Sequence, residues 1–270
     1  MSSSFRRSVL LKLGGSLITE KTRPHTARPE VIARLAEEIA VARRRDSGLD
    51  LIIGHGSGSF GHVPARQYGT RQGVQTQEEW LGFVEVWHEA TALNRLVIDA
   101  LAATGLPVVA FPPSACVIAR DGQVESWDLA PIKAALKAGI VPVVFGDVIF
   151  DVQRGGTILS TEDLFAYLAD HLQPERILLV GIEPGVWADY PNCTRIEQVI
   201  IPADLSSLTE TLGGSAATDV TGGMLSKVQQ SLDLVGRQPG LEVSIFSGIE
   251  KGAIERALAG EKVGTLIRAD

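Results

Sequence analysis

The sequence predicts an α/β protein built on a mainly parallel sheet with helices on both faces. Short apolar runs of strand length alternate with longer helical segments from end to end. Glycine-rich turns follow directly on the first two runs, the place where open α/β sheets bind ligands. Val9 to Leu13 reads as a buried strand closed by Gly14-Gly15. Pro29 opens a helix with Val31, Leu35 and Ile39 on its buried face, and Arg43, Arg44 and Arg45 near its end suit the macrodipole. Leu51-Ile52-Ile53 is the second strand, and Gln77 to Ala103 is a long helix. Strands follow at Pro107 to Phe111, Ile140 to Phe145, Arg176 to Val180, Leu241 to Phe246 and Val263 to Ile267. Helices are expected over Glu162 to Leu172 and, after a turn, within Asp219 to Val235. Ala115 to Val124 reads as a β-hairpin turning at Asp121-Gly122. Gln67 to Thr76 and Ala188 to Arg195 read as loops. The pattern is that of one domain spanning residues 1–270, with no internal repeat.

The 270 residues are 45% hydrophobic and carry a net charge of −7. That balance disfavours non-specific binding to nucleic acid or to anionic membrane. The N-terminus lacks the apolar core of a signal peptide, and the apolar stretch Gly139 to Phe150 is too short to span a bilayer. Cys116 and Cys193 have no metal-type spacing and fit a reducing compartment. A cytoplasmic protein is expected.

Three glycine-rich segments carry the chemistry. Lys12-Leu13-Gly14-Gly15-Ser16 ends a strand. Its glycines admit a phosphate to the backbone, and Lys12 and Lys21 can neutralise charge on a transferring phosphoryl group. Gly54-His55-Gly56-Ser57-Gly58-Ser59-Phe60-Gly61-His62 exposes many backbone donors; a helix starting near Ser59 would add a positive field, and His62 can hold an acceptor phosphate. It is neither a Walker loop nor a dinucleotide fingerprint. In Thr218 to Lys227, Thr221 or Asp219 can cap a helix, which places Lys227 about one turn inside it. Gly146-Asp147-Val148 and Ser160-Thr161-Glu162-Asp163 add carboxylates. Asp147 or Asp163 either orients Lys12 and Lys21 or approaches Mg²⁺ indirectly, or is simply a turn former or helix-terminal charge. Phosphoryl transfer needs positioning and charge more than covalent chemistry. An acceptor that is already a phosphate needs no strong base.

These segments, in this order, resemble the amino-acid-kinase superfamily, and the GSGSFGH loop ending in His62 resembles that of the isopentenyl phosphate kinases. The resemblance implies an open three-layer αβα sandwich, a homodimer, and transfer from MgATP to isopentenyl phosphate. It implies ATP contacts from Lys12, Gly14, Gly15, Ser16, Gly58, Gly222, Gly223 and Lys227, with Glu183 on the adenine side. Lys12, Lys21 and His62 would be the catalytic groups, Lys21 acting in the transition state. Gly56, Ser57, His62 and the backbone at Gly155 would hold the substrate phosphate, and no residue is assigned to metal. The N-terminal part would bind the acceptor and the C-terminal part the nucleotide. The chain departs from the family where Ser57 replaces a glycine, where Ser160 to Asp163 replaces an SGDD-like piece, and at Glu183-Pro184-Gly185-Val186. Trp80, Phe83 and Trp87 share a helix face and either line a pocket for an isoprenoid tail or belong to core or dimer interface. A fosfomycin-type kinase of the same fold and a non-catalytic nucleotide-binding protein remain the alternatives. Carbamate, glutamate and uridylate kinases fit less well, because their acceptor loops lack the histidine ending.

Overall fold

The computed structural model describes residues 8–206, 208 and 223–270. Among these, an 8-stranded sheet runs in the order β10-β12-β11-β9-β1-β2-β6-β3. Its strands are β1 (Ser8–Leu13), β2 (Asp50–His55), β3 (Val108–Ala110), β6 (Val141–Phe145), β9 (Arg176–Gly181), β10 (Val199–Ile200), β11 (Glu242–Ser247) and β12 (Thr265–Ile267). Every pairing is parallel except β11 with β12. A 4-stranded sheet, β5-β4-β7-β8, comprises β4 (Val117–Arg120), β5 (Gln123–Trp127), β7 (Asp147–Asp151) and β8 (Gly155–Leu159).

Strand alternation sorts the core onto the two faces of the large sheet. Val9, Leu11 and Leu13 of β1 pack with α2 (Pro29–Arg45), α4 (Gln77–Ala103) and α8 (Ala253–Ala259). Leu10 joins Ile52 and the inner faces of α5 (Ala130–Lys137), α6 (Thr161–Leu172) and α7 (Gly223–Arg237). The two short helices are α1 (Gly15–Ile18) and α3 (His62–Gln67). Helices on both faces of a mainly parallel sheet fulfil the expected αβα sandwich. On α2, Leu35 and Ile39 are fully buried as expected and Ile32 joins them, while Val31 is only partly buried. The Asp121-Gly122 turn forms as expected, both residues having positive φ (50° and 75°). The second hairpin, β7–β8, was not expected. Gly146 is its pivot: the apolar run through Phe145 belongs to one sheet and the run from Asp147 to the other.

The two glycine loops at the ends of β1 and β2 meet backbone to backbone. A Cβ on Gly15 would lie 2.4 Å from the Gly58 nitrogen. Gly58 has φ +53°, and a Cβ there would lie 2.1 Å from Thr19 Oγ1. No larger residue fits either position. Thr19 Oγ1 in turn accepts the Ser59 amide at 3.0 Å, so the second loop is bonded to the first. Gly58→Ala is expected to lower unfolding stability by about 2 kcal/mol or more, through both the clash and the left-handed backbone. An unchanged midpoint in denaturant titration would contradict this contact.

Candidate active site

A cleft of about 710 Å³ opens where the two loops meet. Lys12, Lys21, His62 and Lys227 all line it, as do Gly14, Gly15, Ser16, Gly56, Ser57, Gly58, Glu183 and Gly223. Gly222 lies outside the described residues, as do Asp219 and Thr221. Gly155 is not a cleft residue. It opens β8 with φ +77°, against the Val74 carbonyl, and β8 reaches the cleft at its other end through Ile158 and Leu159.

The first loop is short because the Gly14 amide donates at once to the Val180 carbonyl (2.7 Å), turning the chain off the sheet into α1. Lys21 follows in a segment closed by a bridge between Thr19 and Ala27. The Arg28–Glu20 pair reinforces that closure, with Nε donating to Oε1 at 2.8 Å.

The second loop begins later than its glycines suggest. Gly54 and His55 are still strand, and His55 is fully buried. Its ring stacks on Phe145, with Nε2 3.1 Å from Asn94 Oδ1. Burial holds its pKa below the ordinary value. The helix after the loop starts at His62, not near Ser59, with Gly61 as its cap. Ser57 donates its hydroxyl to the Gly146 carbonyl at 3.2 Å. That bond fixes the loop to the pivot between the two sheets.

The partner of Lys12 is Glu162. Neither Asp147 nor Asp163 orients it. Burial raises the Glu162 pKa, but the attraction of Lys12 and Lys227 outweighs burial and holds the carboxyl below the usual range. Asp163 instead closes a capping box with Ser160, accepting its amide and its hydroxyl at 2.8 Å each. Asp147 accepts the Ser114 amide (3.1 Å) and the Val148 amide (2.9 Å), in the second sheet. Burial pushes its carboxyl up to about 6. Among the described residues, no group of three His, Cys, Asp or Glu side chains could hold a metal ion.

The aromatic stripe divides. Trp80 and Phe83 pack on each other and on Phe150, while Trp87 meets the neighbouring His88 edge to face. None of the three lines the cleft, whose apolar lining includes Val63, Ala65, Val86 and Ile158. Val86 comes from the same helix as the stripe, one position before Trp87. Glu183 accepts the Trp187 indole N–H at 2.8 Å, and Trp187, Tyr190 and Cys193 also line the cleft. Sequence reasoning missed Glu162 as the lysine partner, and it missed Arg71, Val86 and Trp187. Glu162 had one signal, its place in the first turn of a helix beside Asp163.

Lysines gathered around exposed main-chain amides at the strand ends of a parallel sheet define a phosphate-handling protein. The chain belongs to the amino acid kinase family, whose model matches residues 7–247. Among its relatives is the isopentenyl phosphate kinase of Methanothermobacter thermautotrophicus, 36% identical over 96% of this chain and 98% of the relative. The isopentenyl phosphate kinase of Haloferax volcanii is also 36% identical, over 97% of this chain and 99% of the relative. An X-ray structure of isopentenyl phosphate kinase superimposes with a TM-score of 0.82 at 33% identity, covering 97% of this chain and 100% of that one.

Asp147 gives a pH prediction. Its folded pKa of about 6 lies above the ordinary aspartate value of 3.8, so the folded state binds more protons between those values. Its contribution to stability is full below the lower value and lost as pH rises through the higher. Wild-type stability relative to Asp147→Asn should therefore fall as pH rises between them. Urea titrations at several pH values would show it, and a pH-independent difference would contradict it.

Proposed function

We propose that the protein transfers the γ-phosphoryl group of ATP to isopentenyl phosphate, forming isopentenyl diphosphate and ADP. The observation that carries this reading is that Lys12, Lys21, Lys227 and His62, from four separate segments, line one cleft. The relatives named isopentenyl phosphate kinase match nearly the full chain. The apolar wall next to His62 suits a short prenyl tail: a Cβ on Gly61 would touch Val86 at 4.0 Å.

In this reading the nucleotide phosphates lie against the Gly14–Ser16 turn and Gly58, with Lys12 and Lys227 as cations and Gly223 opening α7; Gly222, outside the described residues, is proposed as a further contact. Glu183 and Trp187 stand on the adenine side. Gly56, whose own amide donates to the Leu13 carbonyl at 3.1 Å, carries no side chain and lets the acceptor phosphate approach the backbone. That phosphate meets the Ser57 amide and the His62 ring. Its oxygen is already anionic, so it attacks without a general base, and His62 positions it. Lys21, on the loop over the cleft, neutralises the charge that spreads over the equatorial oxygens in the transition state. Mg²⁺ would ride on the nucleotide phosphates, since it keeps most of its waters and needs few protein ligands; it neutralises charge on the phosphate oxygens. Residues 1–270 act as one unit, the N-terminal part on the acceptor and the C-terminal part on the nucleotide.

The protein is further proposed to work as a cytoplasmic homodimer. Among the described residues no helix is long and apolar enough to cross a membrane. Leu81 and Val84 on α4, Phe150 near the end of β7 and Val152 just past it are exposed apolar groups that suit a second copy.

Steady-state kinetics with isopentenyl phosphate and ATP test the assignment, and a clear preference for a phosphonate acceptor such as fosfomycin would overturn it. His62→Ala should raise the KM for isopentenyl phosphate and lower kcat, with little change in the KM for ATP. Lys21→Ala should lower kcat by about 10²-fold while leaving ATP affinity nearly intact. Unaltered kinetics in either variant would remove that residue from the reaction.

A further inference from the structure

We infer that Arg71 is an additional ligand for the acceptor's phosphate, a role that rests on the phosphoryl-transfer reading above. Arg71 stands in the segment after α3, the helix that His62 opens, so both residues leave the same limb of the structure. Its main chain is fixed to the β7–β8 hairpin: its carbonyl accepts Thr157 Oγ1 at 2.9 Å and Arg154 Nη1 at 3.4 Å. The side chain lines the cleft together with Ser57, His62, Ile158 and Ser160.

Its guanidinium is only loosely held. Nη2 donates to Asp163 Oδ2 at 3.3 Å, which is long for a charged pair. That oxygen already accepts the Ser160 amide and hydroxyl, and Oδ1 accepts Gln230 Nε2 at 3.1 Å. Asp163 is thus satisfied without the arginine. The other terminal nitrogen, Nη1, is buried and has no hydrogen-bond partner among the described residues. A buried donor left unpaired is costly and uncommon in folded proteins. Lys12, the cation fixed by β1, is tied to Glu162, so an arriving dianion gains most from a cation not so committed.

A phosphate supplies what Arg71 lacks. Its oxygens match the planar guanidinium fork, which grips phosphate in a fixed geometry where a lysine acts as a point charge. The long contact with Asp163 leaves the fork able to turn to an anion beside the Ser160 turn. The position on the His62 limb assigns that anion to the acceptor.

The test combines kinetics with direct binding. Arg71→Met should raise the KM for isopentenyl phosphate about tenfold or more, leaving the KM for ATP within about twofold. Arg71→Lys, which keeps the charge and loses the fork, should recover part of the loss. In parallel, inorganic phosphate is titrated calorimetrically into protein saturated with a non-hydrolysable ATP analogue; Arg71→Met should bind it more weakly than wild type. Unchanged phosphate affinity, or equal losses toward phosphate and the ATP analogue, would overturn the proposal. If wild-type protein fails to phosphorylate isopentenyl phosphate, the acceptor assignment falls, and the phosphate titration still decides the role of Arg71.

Discussion

A buried ion pair between Lys12 and Glu162 sets the register of the cleft. Both side chains are 9% exposed, so bulk water does little to solvate either charge. Removing one partner from such a pair strands the other, at a typical cost of ~3–5 kcal/mol. Lys12 comes from the central strand β1, and Glu162 from the first turn of α6, where the helix dipole also favours a carboxylate. Beside it Thr161 Oγ1 donates to the His55 carbonyl at 2.6 Å, at the end of β2. The start of α6 is therefore bonded to two neighbouring strands of the large sheet. Because α6 follows directly on β8, the small sheet is anchored at the same point.

This anchoring explains how an acidic protein can handle two anions. With a net charge of −7, its surface as a whole repels nucleotide and acceptor. The cleft reverses the sign locally, with Lys12, Lys21, Arg71 and Lys227 against Glu162 and Glu183. Main-chain amides reach the same space because Gly15 and Gly58 leave no side chains between the loops. In the proposed reaction the two phosphates meet where the first loop touches the second, and that backbone contact holds the two loops at a fixed distance. Positioning of that kind is what phosphoryl transfer asks of a protein.

Much of the fold was legible because its signals are local. Val9 to Leu13 ends at Gly14-Gly15, and the Asp121-Gly122 pair announces its own turn. The glycine-rich loops at the ends of β1 and β2 were legible for the same reason. What stayed hidden depends on contacts between distant segments. The run from Ile140 to Phe150 is broken only at Gly146-Asp147, and one Gly-Asp step does not reveal that the chain passes there from one sheet to another. Glu162 meets Lys12 across 150 positions, and Arg71 meets Asp163 across 92. Helical spacing correctly put Trp80 and Phe83 together, but which face of α4 borders the cleft depends on the small sheet, and Phe150 takes both rings. Pro64 sits inside a short helix after a glycine loop, and the loop signal masked it.

The pair between Lys12 and Glu162 can be tested directly by measuring single-turnover transfer from radiolabelled ATP in Glu162→Gln. The glutamine keeps the shape and one acceptor while removing the charge that holds the ammonium. If the pair sets the geometry, transfer should slow by about tenfold or more in folded protein with isopentenyl phosphate still bound. Transfer at the wild-type rate would contradict the account.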